Sequence, residues 1–214
     1  LPLRVSAQSY EQMWKQVEAL EQKQLPESAI KELQKIYEHA KQEKNMPQMM
    51  KAHLTKASLS IDITPDSLDR ELSGLKTWVA EEKDPVYKAI LNHLLGYYTL
   101  DTGKRDEAAI DAAIAYFRLS LQDKDLLSRK SAADYRPMTV SKELSGKYCG
   151  DNMYQLLARQ AISRLSGYFI VNPVLAGKIQ TEILSIYDGL IDFYQQQGMT
   201  DARLLLMLDK LNYQ

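Results

Sequence analysis

Apolar residues recur along this chain at steps of three and four, the spacing that puts side chains on one face of a helix. Tyr10, Met13, Trp14 and Val17 form the first such stripe, and Ile30, Leu33, Ile36, Tyr37 and Ala40 the second. Pro47 opens a third helix running through Met50, Leu54 and Ala57. Thr64-Pro65 reads as an N-cap followed by proline at the first helical position, with Leu68, Leu72, Leu75 and Val79 facing inward. Asp84-Pro85 repeats the device ahead of Val86, Ile90, Leu94 and Tyr97. Later stripes are Ile110, Ala113, Ile114 and Phe117, then Met153, Leu157, Ala161 and Leu165, then Ile183, Ile186, Leu190, Ile191 and Tyr194. No strand-like alternation of useful length interrupts them, so the pattern predicts an all-α fold.

Three segments share one design: a helix, a short polar turn, then a helix with alanine near its start. They are LEQKQLPESAIKEL from Leu20, LDTGKRDEAAIDAA from Leu100 and YQQQGMTDARLLLM from Tyr194. Ala29, Ala108 and Ala202 stand where two antiparallel helices must approach closely. That is the packing logic of tetratricopeptide (TPR) units. Leu95-Gly96 and Ala115 also sit at offsets such a unit favours, whereas Asn92 and Thr99 occupy places where it prefers aromatics. The expected architecture is therefore antiparallel helical hairpins stacked as a degenerate TPR-like array of about 8–10 helices. An irregular helical bundle is the alternative. Residues 1–9 read as an N-terminal extension and 10–214 as a single helical domain. Pro137, Gly146, Gly150 and scattered serines break the helical pattern from Asp123 to Gly150, which predicts a long crossover with short helical pieces.

Charge narrows the classes of partner. Lys plus Arg is 27 against 28 for Asp plus Glu, with no basic stripe, so the electrostatic footprint of nucleic-acid binding is missing. No apolar run reaches the roughly 18 residues of a membrane-spanning helix. The chain begins at Leu1 rather than Met, which implies residues upstream. Val5-Ser6-Ala7 before Gln8 offers the small residues of a signal-peptidase site. A short ordered extension is the competing reading, and Arg4 favours it.

Candidate chemistry is sparse. His39, His53 and His93 lie on different helices, and none sits in a spacing that puts two metal ligands on one face. Surface or partly buried histidines without a ligand role are expected. The methionines of NMPQMM (Asn45–Met50) read as core filler rather than thioether ligands. Glu81-Glu82 and Asp106-Glu107 suit helix ends. No phosphate loop, nucleophile elbow or dinucleotide fingerprint appears, so no enzyme activity and no cofactor are expected. Tyrosine is the skewed residue, 13 against 3 phenylalanines. A ring with a polar tip suits the wall of a half-buried groove, and Tyr97, Tyr98, Tyr116, Tyr135, Tyr148 and Tyr154 are the candidates for such a surface. The alternative places them over helix seams with their hydroxyls in water. The single cysteine falls in YCGDNM, Tyr148–Met153, which invites comparison with the Cys-Gly-Glu-Gln of an internal thioester. Here the amide three residues on is Asn152, one methylene short, so a turn and N-cap at Gly150-Asp151 ahead of a helix at Asn152 is the better reading.

Three blocks resemble the N-terminal helical region of bacterial alpha-2-macroglobulin family proteins of the Bacteroides type. They are Tyr10–Ala52 (with LPESA, IYEHA and NMPQ), MYQLLARQAI at Met153–Ile162, and ILSIYDGLIDFYQQQG leading into ARLLLMLDKLNY. Between Ser58 and Leu127 the likeness is only helical character. The resemblance implies a scaffold segment ahead of macroglobulin-type β-domains, in an exported protein of the periplasm or cell envelope. Its partners would be other domains of the parent chain or envelope proteins, and proteases through the parent's trapping activity. It also places YCGDNM far from that family's thioester domain. A free-standing peptide- or glycan-binding module with a tyrosine-lined groove is the second functional reading, and an enzyme using Cys149 the third.

Overall fold

Six of the described helices begin where a side-chain oxygen accepts from the first free N–H groups. The computed structural model describes residues 9–64, 66–102, 104–135 and 152–214. Among them are ten α-helices: α1 Tyr10–Gln22, α2 Pro26–Glu43, α3 Met46–Ile63, α4 Ser67–Glu81, α5 Pro85–Asp101, α6 Glu107–Leu121, α7 Lys124–Leu127, α8 Met153–Ser166, α9 Pro173–Gln196 and α10 Thr200–Tyr213. Ser9 and Gln12 form a reciprocal capping box at α1. Asp84 Oδ1 accepts from Val86 N (2.8 Å) and Tyr87 N (3.1 Å), Asp106 Oδ1 from Ala109 N (2.8 Å), and Asn172 Oδ1 from Val174 N (2.9 Å). Proline occupies the first or second position of α2, α3, α5 and α9, where its missing N–H costs nothing. Gly198 turns α9 into α10 at φ +68°, the left-handed conformation that glycine adopts freely.

Two expected caps differ. Thr64 closes α3, its N–H bonded to Ser60 O (2.9 Å), and α4 starts at Ser67. A threonine preceding Pro65 is held out of the α region, and that ends one helix as readily as it starts another. At α8 the cap is Asn152, whose Oδ1 accepts from Gln155 N (3.0 Å), so the helix begins at Met153. Cys149 and the expected cap Asp151 lie outside the described residues.

The described residues fall into two compact units, 9–71 with Tyr135 and 72–134 with 152–214. In the first, Tyr10 at the start of α1 donates to Glu43 at the end of α2 (2.7 Å), so the pair is antiparallel. Val17, Ala29, Leu33, Ile36 and Ala52 form its core, with Met13, Trp14 and Tyr37 packed around them. Trp14 Nε1 donates to Gln48 (2.7 Å) and carries Lys51 Nζ over its ring at 3.9 Å, tying α1 to α3.

In the second unit α5 is buried at nine positions between Val86 and Leu100, among them Asn92, His93 and Gly96. It packs on α6 where a Cβ at Gly96 would stand 3.0 Å from the Phe117 ring. Tyr154 at the start of α8 packs on Phe193 near the end of α9 (ring centroids 5.4 Å), so these two are antiparallel as well. The two hairpins then run in register. Late α5 meets late α8 through Asp101 and Arg164, early α6 meets early α9 through Glu107, Asp111 and Lys178, and Arg118 reaches Glu182 further along both. First helix beside first and second beside second is the packing of a helical repeat.

Two small-residue expectations separate here. Ala29 and Ala202 are buried as predicted, whereas Ala108 is exposed. With Asp106 as N-cap, Ala108 falls about 160° from Ile110 around α6, and the buried small residue is Ala113. His93 differs too. It is 5% exposed, held edge-on to Phe117 (5.2 Å), and burial pushes its imidazole down to about 4.

Candidate interaction surfaces

The candidate tyrosines occupy different environments. Tyr97 is exposed on α5, edge-on to half-buried Tyr98 (5.7 Å), with the Arg164 guanidinium 4.0 Å above its ring. Tyr116 is half-buried on α6. Tyr154 is 5% exposed, and burial pushes its phenol up to about 12, so it is a core residue that presents no wall. Tyr135 is also buried. Tyr148 lies outside the described residues. Tyr97 and Tyr98 with Arg164 are thus one surface cluster, while Tyr154 belongs with Phe193 and Tyr194 inside α8 and α9.

A different surface stands out on α10. Ala202 and Leu206 face α9 and are buried. Lys210 pairs with Asp188, and Tyr213 lies beside Tyr187 (6.2 Å), which makes α9 and α10 antiparallel. On the opposite side Leu204, Leu208 and Leu211 are 59%, 54% and 67% exposed. Met207 and Leu205 extend the strip, so exposed apolar residues cover an arc of about 160°. No charged side chain falls between Leu204 and Leu208, where a solvent-facing helix normally carries several. The sequence did hold the signal: Leu204–Leu208 reads LLLML, five apolar residues in a row, which leaves no polar face. Periodicity could not say which side was already occupied.

Helices α6 and α9 flank a second feature, an open groove of about 980 Å³. Ile114, Ala115 and Leu119 form an apolar strip along α6, with Gly177 and Thr181 opposite on α9. Arg118 spans it, donating from Nε (2.9 Å) and Nη2 (2.6 Å) to buried Glu182 Oε2. Lys178 at one end bonds Glu107 (2.6 Å) and Asp111 (2.9 Å).

For metal chemistry, no group of three or more His, Cys, Asp or Glu side chains among the described residues is placed to hold an ion. His39 Nε2 lies 3.4 Å from Glu43, and His53 Nε2 lies 3.9 Å from Glu71, where burial lowers its pKa despite the carboxylate. Among the described residues no helix is long and apolar enough to cross a membrane. No protein-family model, characterised protein or solved structure matches the chain.

Proposed function

We propose that the chain is a non-catalytic helical scaffold that docks a further layer of apolar helix against the outer face of α10. The observation that carries this reading is the two-sided character of that helix. A helix that closes a stack of hairpins has a polar outer face, because water is its only neighbour there. α10 has leucines on both sides, the composition of a helix packed between two layers. The in-register stacking of α5–α6 on α8–α9 supports a TPR-like assignment. The resemblance of the end blocks to the macroglobulin family supports an envelope-associated parent, whose own domains would supply the docked layer.

A photo-crosslinking amino acid at Leu208, in the protein expressed in its native cell, tests the docking. One discrete adduct to an apolar, helix-forming segment is expected, with little from the same probe at exposed Gln195. Equal labelling at the two positions would sink the proposal.

A further inference from the structure

The first turn of α8, the segment after α7 and the end of α9 border a cleft of about 560 Å³, set apart from the outer face of α10. Phe193, Met199, Gln155, Arg129, Lys130 and Asn152 are among the residues that line it. Gln155 is fully buried, which is uncommon for a primary amide. Its Nε2 faces Met199 Sδ at 4.0 Å, a weak acceptor, and that contact turns Oε1 away to a position where it accepts nothing. Buried carbonyl oxygens seldom go without a donor unless something outside the fold supplies one.

The two cations of the cleft are also without a side-chain partner among the described residues. Arg129 uses Nε on its own turn, donating to Asp125 O (2.9 Å), and its terminal nitrogens meet no acceptor among the described residues. Lys130 Nζ likewise has none there. Asn152 is committed as the α8 cap, and Lys130 O accepts from Met153 N (2.9 Å), so the cations are held beside the positive end of α8.

We propose that this cleft binds a carboxylate bearing an adjacent N–H and an apolar side chain, the chemistry shared by a free amino acid and the C-terminal residue of a peptide. The carboxylate lies against Arg129 and Lys130, and the N–H donates to Gln155 Oε1. Rotation of that amide toward the cleft exchanges the weak N–H···S contact for this bond. The apolar side chain lies on Phe193 and Met199. A phosphodiester would satisfy the cations and leave Gln155 without a donor. Asp125 also borders the cleft and would meet the ammonium of a free amino acid, which a peptide's last residue lacks.

Backbone NMR titration of the whole chain tests this with four probes: N-acetyl-leucine, leucine, N-acetyl-leucinamide and 4-methylpentanoate. Saturable shifts at Asn152, Gln155 and Met199 are expected for at least one of the first two, with the carboxylate-free amide about tenfold weaker. The acid without an N–H should also be several-fold weaker. Tighter binding of N-acetyl-leucine assigns the site to peptide ends, and tighter binding of leucine assigns it to free amino acids. Arg129→Gln with Lys130→Gln, both at exposed positions, should weaken binding about tenfold and remove its salt dependence. Gln155→Met should erase the preference over 4-methylpentanoate. Absence of saturable binding at about 10 mM, or equal responses to all three acids, would overturn the assignment.

Discussion

His93 illustrates how far burial alone governs a residue in this protein. An imidazole in the unfolded chain titrates near 6.5, and in the fold desolvation holds it at about 4. Between those values the unfolded chain binds the extra proton. Its contribution to stability is therefore complete above about pH 6.5 and is lost as pH falls toward 4, on the order of 3 kcal/mol in all. Urea midpoints of the parent and His93→Gln at about pH 7 and about pH 4.5 should show a distinctly flatter dependence in the variant. Gly96 is the steric counterpart. A Cβ there meets three Phe117 ring atoms at 3.0–3.1 Å, and Phe117 is fully buried with His93 at its edge, so it has little room to retreat. Gly96→Val should cost about 2–3 kcal/mol in chemical denaturation. Gly96→Ala should cost less, because alanine's helical preference offsets part of the contact. Neither effect is written in the local sequence. A histidine and a glycine within one helical stripe become special only through what α6 brings against them.

At the scale of elements, caps and stripes divide the information differently. The stripes of α6, α8 and α9 could be read residue by residue, since polar positions between the apolar ones leave a single solution for the buried face. Cap residues were legible by type and uncertain by a residue or two, because Thr, Asp and Asn serve both to start helices and to end them. Asn152→Ala removes the bond to Gln155 N and should cost about 1 kcal/mol. From Leu204 to Leu208 α10 has no polar position to set its phase, so in that run only Ala202 one turn earlier and the contacts with α9 mark the inner face. Leu206→Ala, on that buried face, should cost about 2–5 kcal/mol. Leu204→Glu with Leu208→Glu, on the outer face, should leave the thermal midpoint nearly unchanged while raising solubility, as read by scanning calorimetry and light scattering.

For the whole molecule, the two compact units each carry one tryptophan, Trp14 in the first and Trp78 in the second. In a Trp78→Phe background, Trp14 fluorescence should report a loss of about 2–5 kcal/mol for Leu33→Ala, because Leu33 is fully buried in the α1–α3 core. Helical class and most of the inward positions followed from the amino acids alone, since helical spacing is a local property, whereas Tyr97, read into the α5 stripe, is exposed. The pairing of helices, the burial of Tyr154 and His93, the exposure of Ala108 and the spare faces at α10 and beside Gln155 were decided by tertiary structure. Each depends on which surfaces meet at long range, and periodicity along one helix carries no record of that.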